Sequence, residues 1–296
     1  MITITGATGH TGSKIANILL NRGKKICVVG RSGEKLKSFK ERGAELAIGD
    51  QSDLQFLTKA FSGSDAVYLL VPPKMDTPDI RNYYNKIGDV AVEAILKSGV
   101  KKVVFLSSLG AELPSGTGPV IGLHDVEAKL DKLTQIDLVI LRPAYFMENT
   151  IGNASLIKKQ HINGNTLPPD TPVSMIATRD IANKAAELLS TLSFSGHTII
   201  DLFGDRISSR EVTRQIGEVI GMPDLPYVQF TESDAVKGFT SMGSSENLAR
   251  SFVEMNNAIG KGLVHPTQID PLKPNTETSF KEFVRIEFEP VYKKAA

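Results

Sequence analysis

"ITITGATGHTGSKIANIL", Ile2 to Leu19, decides the fold. "ITIT" is short and β-branched, the composition of a strand. From Ser13 onward, Ile15, Ala16, Ile18 and Leu19 recur on one face of a helix. Between them runs Gly6, Ala7, Thr8, Gly9, His10, Thr11 and Gly12, spaced G-x-x-G-x-x-G. Glycine permits a φ > 0 turn after the strand and a close approach of backbone to a ligand. The third glycine lets the helix lie tightly on the sheet, and the helix N terminus offers unpaired N–H groups and a partial positive charge to a pyrophosphate. With a strand before and a helix after, the run reads as a Rossmann dinucleotide turn, although its spacing departs from G-x-G-x-x-G. All seven residues are expected at the cofactor, His10 only as filler of the loop.

The next strand, "KKICVVG", ends in Gly30, Arg31 and Ser32. NAD-preferring sites carry an acid at this strand end, bonded to the ribose 2′-OH. A guanidinium and a hydroxyl suit a 2′-phosphate instead, so the reading is NADP(H), the alternative for Arg31 being a solvated loop arginine. Strand and helix then alternate. "AELAIGD" gives a third strand ending at Asp50, and "DAVYLLVPP" a continuously apolar fourth that ends at Val71 and Pro72. A helix over residues 81–100 follows, then "KKVVFLSSLGA", a helix around Val126 to Leu133, and "DLVILRPAYFMEN". Such repetition predicts a doubly wound parallel α/β sheet. Residues 1–150 are expected to form the nucleotide-binding domain. Residues 151–296 are expected to build mainly a smaller C-terminal α/β lobe for substrate or partner, with a strand near 197–203 returning to the sheet.

The 296 residues are 41% hydrophobic and 23% charged, ordinary for a folded chain with a real core. A net charge of +1 gives no ground for a nucleic-acid partner. The one cysteine, Cys27, lies in an apolar run and is expected to be buried and inert, and an intrachain disulfide is impossible. No basic segment followed by a long apolar one opens the chain, and the apolar runs are too short to span a bilayer. A cytoplasmic protein that does not enter the membrane is expected.

Several stretches together resemble the NmrA-like branch of the atypical short-chain dehydrogenases/reductases. They are "GATGHTG" with Arg31, "GD" at 49–50, "VYLLVPP", "SSLGA" at 107–111, "LRPAYFMEN" at 141–149 and "TRDIANKAAELL" at 178–189. "ISSREV" at 207–212 and the phenylalanine-spaced "SFKEFV" also fit, so the likeness spans the chain. It implies NADP(H) in a cleft between a Rossmann domain and a small lobe. It also implies one of two functions: a reductase of quinones, azo dyes or triphenylmethane dyes, or a catalytically silent NADP(H)-sensing regulator that binds a protein partner.

Ordinary short-chain dehydrogenases pair Tyr-x-x-x-Lys so that the lysine lowers the tyrosine pKa. None of the tyrosines, at 68, 83, 84, 145, 227 and 292, has a lysine four residues on. "GLHDVEAKLDKL" occupies that place instead and carries His124, Glu127 and Lys129. His124 is the candidate proton donor, or a capping histidine. Ser107 is the candidate at the reacting end and Ser108 at the cofactor, unless they merely satisfy the strand end. Asp50 is expected near the adenine, or as a helix cap. Val71 and Pro72 pack on the cofactor or in the core. Tyr145, Phe146 and Asn149 line the cleft, Phe146 equally as packing. One cysteine and dispersed histidines give no metal site, and no G-x-S-x-G nucleophile turn occurs. A reductase without the pair is chemically sound, because the cofactor carries the hydride. The leading expectation is therefore an NADPH-dependent reductase of a small planar acceptor, a homodimer by default.

Overall fold

Every residue from Ala66 to Leu69 is fully buried, which requires a sheet covered on both faces. The computed structural model, which describes residues 1–295, supplies that cover. In chain order the first half comprises β1 (Ile2–Ile4), α1 (His10–Asn21), β2 (Ile26–Gly30), α2 (Gly33–Glu41), β3 (Glu45–Ile48) and α3 (Leu54–Phe61). It continues with β4 (Ala66–Leu70), α4 (Ile80–Ser98), β5 (Lys102–Leu106), α5 (Val120–Leu130) and β6 (Asp137–Pro143). Then come β7 (Tyr145–Phe146), a 3₁₀ turn over Met147–Asn153, α6 (Ala154–Gln160), β8 (Asn163–Asn165) and β9 (Pro172–Ile176). The chain goes on through α7 (Thr178–Thr191), β10 (His197–Leu202), β11 (Asp205–Ser208), α8 (Ser209–Ile220) and β12 (Tyr227–Gln229). It closes with α9 (Glu232–Ser241), α10 (Glu246–Gly260), α11 (Phe280–Phe283), a π-helical turn over Val284–Phe288 and α12 (Glu289–Lys294).

The main sheet has seven parallel strands in the order β10-β6-β5-β4-β1-β2-β3. The order reverses between β1 and β4, the switch point at which α/β sheets bind ligands. Alternate strand residues serve opposite faces. Ala66 and Tyr68 join the core beneath α1 and α7, while Val67 and Leu69 join the core beneath α3, α4 and α5. A third core, in the C-terminal lobe, gathers Met147, Met175, Ile216 and the phenylalanines 280, 283 and 288.

The structure moves several sequence boundaries. The first helix begins at His10, not Ser13, so His10 is its first residue rather than loop filler. The helix expected around Val126–Leu133 runs from Val120 to Leu130, with Leu133 beyond its end. "DLVILRPAYFMEN" is not one strand: β6 stops at Pro143, and Tyr145–Phe146 joins the separate sheet β11-β9-β7. Proline gives β6 its last residue without needing a ladder N–H. Residues 178–202 return to the main sheet, β10 pairing with β6 from His197↔Leu138 to Leu202↔Pro143. With β10 comes α7, whose Ile181, Ala182, Ala185, Ala186 and Leu189 face α1. Its small alanines permit close helix approach, a cue the alternation of strands and helices does not contain. Cys27 is buried, and burial pushes its thiol up to about 11. Among the described residues, no helix is long and apolar enough to cross a membrane.

Gly12 sets the distance of α1 from the sheet. A Cβ there would lie 2.4 Å from the Gly6 carbonyl oxygen and 3.0 Å from that of Thr5. Both are backbone atoms, which cannot swing aside. Gly12→Ala should therefore lower the unfolding free energy by about 1–3 kcal/mol, the usual cost of overpacking. Gly238→Ala, on α9 with no atom within 4 Å of an added Cβ, should not lower it. Urea denaturation followed by circular dichroism measures both.

Candidate functional site

The turn after β1 is built as its glycines suggest. Gly6 takes φ +63°, and its Cα side faces Leu70 at the end of β4, where an added Cβ would meet Leu70 Cδ2 at 2.6 Å. The Gly9 N–H donates to the Gly6 carbonyl at 2.9 Å and closes the turn. Gly9 is the N-cap of α1, and no side chain caps the helix; its first turn holds no acid. The N–H groups of His10, Thr11 and Gly12 have no carbonyl one turn earlier to bond. Thr8, Gly9 and His10 are exposed, whereas Ala7 is buried. The side chain of Thr11 turns inward and accepts from the Tyr68 hydroxyl at 3.1 Å. An anion at this end would meet bare N–H donors and the positive end of the helix dipole.

Arg31 is exposed at the end of β2. Ser32 caps α2, its Oγ accepting from Lys35 N at 3.5 Å. Asp50 accepts from both the backbone N–H and the hydroxyl of Ser52, at 2.8 and 2.7 Å. These bonds, helped by the charges of Arg31 and Lys74, hold its carboxyl below the usual carboxylate range. The helix that follows is capped by Asp53, not by Asp50. Lys74, which sequence reasoning passed over, stands in the loop after β4 with its Nζ 6.0 Å from the Tyr83 ring. Arg31 and Lys74 thus put two cations beside one carboxylate at the exposed edge. Val71 packs into the core with Ile80, Tyr84 and Phe105, and Pro72 is half-buried beside it.

At the end of β5 the two serines differ. Ser108 Oγ donates to the Leu109 carbonyl at 3.0 Å. Ser107 is 4% exposed, and its Oγ has no hydrogen-bond partner. An unpaired buried hydroxyl is costly, which marks Ser107 as a group awaiting one. His124, half-buried on α5, donates from Nδ1 to the Ala111 carbonyl at 2.7 Å. A carbonyl only accepts, so the neutral ring keeps Nε2 as its lone-pair nitrogen. Glu127 and Lys129 serve the fold. Glu127 grips Arg142 in a buried two-bond pair at 3.0 and 2.5 Å, and Lys129 pairs with Asp89 at 2.6 Å. Glu148 of "FMEN" is structural too, accepting from the Thr178 N–H at 2.8 Å at the start of α7.

β7 joins this edge to the lobe, and its two residues face opposite ways. Phe146 packs with Leu70 and Leu106 against the core of the main sheet. Tyr145 lines a cavity of about 360 Å³ within the lobe. Burial raises the Tyr145 pKa, although side-chain bonds from Asn165 and Asn149 oppose the shift. Asn153, Asn163, Asn165 and Asn256 line the cavity, together with Phe239 of α9, Met242 just past its end, and Phe252 and Met255 of α10. Asn149 lines it as well, but Ser107 and His124 do not. The structure therefore gathers the sequence candidates into two groups: turn, Arg31 and Asp50 on the sheet edge, and Tyr145 with Asn149 in the lobe. The asparagines were missed. Their signal was "NGN", where Asn163 and Asn165 stand two apart on one face of β8.

One relative and two solved structures frame this geometry. An NAD(P)H azoreductase of Xenophilus azovorans is 26% identical over 259 residues, 86% of each chain. The triphenylmethane reductase of Citrobacter sp., solved with NADP(H), superposes with a TM-score of 0.80 at 22% identity, covering 100% of both chains. NmrA, a negative transcriptional regulator solved with NADP, superposes at 0.74 with 12% identity, over 99% of this chain and 96% of that one. At such identities the structural likeness is one of fold, shared by enzyme and regulator alike. The model of the NmrA-like family matches residues 1–287, and the chain belongs to that family.

Proposed function

We propose that the chain is a cytoplasmic NADPH-dependent reductase of a small, planar, electron-poor acceptor such as a quinone or azo compound. The exposed Gly9, the bare N terminus of α1 and the absence of acid in its first turn fit a pyrophosphate, and Arg31 with Lys74 fits a 2′-phosphate. The unpaired Ser107 hydroxyl fits a polar group at the reacting end. When bound, NADPH supplies a hydride and leaves as NADP⁺; the acceptor takes that hydride and one proton, so a quinone leaves as its hydroquinone. The chain binds and orients, and His124, its ring fixed by Ala111 and protonated at Nε2 from solvent, is the side chain we assign to passing a proton to the acceptor through water, since it does not itself line the cavity. Turn and cavity both come from one chain, so a second copy is not needed to complete the site.

The observation that carries the enzyme reading is the lobe cavity beside Tyr145, because a sensor needs the nucleotide site alone. The sensor reading is supported by the regulator's shared fold and by the missing Tyr-x-x-x-Lys pair. NADPH oxidation across a panel of quinones and azo dyes tests them. Turnover is expected. Binding of NADP⁺ and NADPH with different affinities and no turnover would give the protein to the regulators.

Two substitutions probe the parts. Arg31→Asp removes a charge-assisted partner of the 2′-phosphate and adds repulsion, so calorimetry should find NADPH bound about ten- to a hundredfold more weakly. His124→Ala should lower kcat about 10²-fold with NADPH affinity unchanged, the low end of general-acid effects. A raised KM with little change in kcat would make His124 a shaper of the pocket instead.

A further inference from the structure

α10 belongs to the lobe at one end and to the nucleotide edge at the other. Toward its C terminus, Met255 and Asn256 line the lobe cavity. At its N terminus it meets the loop that joins β4 to α4, residues 71–79. The N–H of its N-cap, Ser245, donates to the Met75 carbonyl at 2.8 Å. The Asn247 side chain accepts from the Ile80 N–H at 3.0 Å, and an amide atom that receives a backbone N–H is the oxygen. Leu248, 1% exposed, joins Ile80 and Tyr84 in the core of the main sheet.

α4 does not need that oxygen as its cap. Asp79 already serves, accepting from the Asn82 N–H at 2.9 Å. What the two bonds from α10 hold is the loop itself. Val71 and Ile80 are buried at its ends, but Pro73, Lys74, Met75, Asp76, Pro78 and Asp79 are exposed. Thr77 turns inward, and its bonds stay within the loop: its N–H donates to the Lys74 carbonyl at 3.3 Å and its hydroxyl to the Asp79 carbonyl at 3.3 Å. A segment so exposed owes its place to its anchors. Arg31 directly follows β2, whereas Lys74 stands out on this loop. Its Nζ lies 6.0 Å from the Tyr83 ring, and its charge, like that of Arg31, acts on Asp50. Where the lysine stands is thus set by where α10 holds the backbone.

Resting on the NADP(H) reading above, we propose that Asn247 is a positioning residue of the nucleotide site: from the lobe, its bond to the Ile80 N–H holds the β4–α4 loop so that Lys74 meets the 2′-phosphate together with Arg31. A helix of the lobe thereby sets part of the cofactor preference. NADPH and NADH differ only in the 2′-phosphate, so the ratio of their affinities reads that contact alone. Asn247 is uncharged and acts through Lys74. Its loss frees the loop without removing a group that touches the phosphate.

Calorimetric titration of the full chain with NADPH and with NADH tests this. The unaltered chain is expected to bind NADPH more tightly. Lys74→Met, which removes a charge-assisted partner, should lower the NADPH-to-NADH affinity ratio about tenfold and leave NADH binding as it was. Asn247→Ala should lower the ratio about three- to tenfold, the worth of one neutral hydrogen bond, again with NADH unchanged. In the doubly substituted chain the ratio should fall no further than in Lys74→Met alone, because residues that act through one another are not additive. An unchanged ratio in Asn247→Ala, whether both nucleotides bind more weakly or neither does, would make the bond merely structural and overturn the proposal. Additive losses in the double variant would overturn it too. So would an unchanged ratio in Lys74→Met, whether or not Asn247→Ala folds. If Arg31→Asp lowers the ratio and Lys74→Met does not, the NADP(H) reading stands and this inference falls. If the unaltered chain binds NADH as tightly as NADPH, or binds neither, both fall.

Discussion

The contact between α1 and the turn below it governs the rest of the molecule. A hydrogen at Gly12 is all the Gly6 carbonyl tolerates, since a carbon would stand 2.4 Å away. That closeness seats α1 on β1, brings its bare N terminus to the switch point of the sheet and leaves room on its other flank for α7. The helix arrives uncapped, although α2, α3, α4 and α8 all carry a side chain at this position. α5, α6 and α7 also lack a capping side chain, but α1 is the uncapped helix whose N terminus lies at the switch point of the sheet, where an anion from outside can meet it.

The nucleotide half was legible in the sequence because its signals are local. The strand, the three glycines and the apolar helical face of Ile15, Ala16 and Leu19 sit within a span of consecutive residues, and each has one physical reading. Asp50 shows the limit of such reading. Its place after β3 was clear, but whether it or Asp53 would cap the next helix depends on a rotation about a single turn. The three-residue shift at His10 has the same origin: a helix can begin before its apolar face does.

The lobe was not legible, for a different reason. Its cavity is assembled from β7, β8, β12, α9 and α10, segments up to about a hundred residues apart, and nothing in "NGN" announces that Asn165 will meet Asn256. The packing of α7 on α1, beside the strand expected near 197–203, is equally non-local. It is written only in the alanines of α7. Residues that serve chemistry across domains carry little periodicity, whereas residues that serve a core repeat it along one element.

α9 gives the lobe a distinctive mechanical character. None of its residues is buried, and its Phe239 looks into the cavity, resting on Phe252 with ring centres 5.2 Å apart. Such a helix has almost no core of its own, so its free energy of local unfolding is low. Its amides exchange with solvent through small openings that leave the main sheet intact. Whatever fills the space beneath it supplies the missing apolar contact, so occupancy of the cavity and order of the helix rise together. The apolar core around β8, β9 and the C-terminal helices is completed by what fills its cavity, whereas the seven-stranded sheet is complete without it.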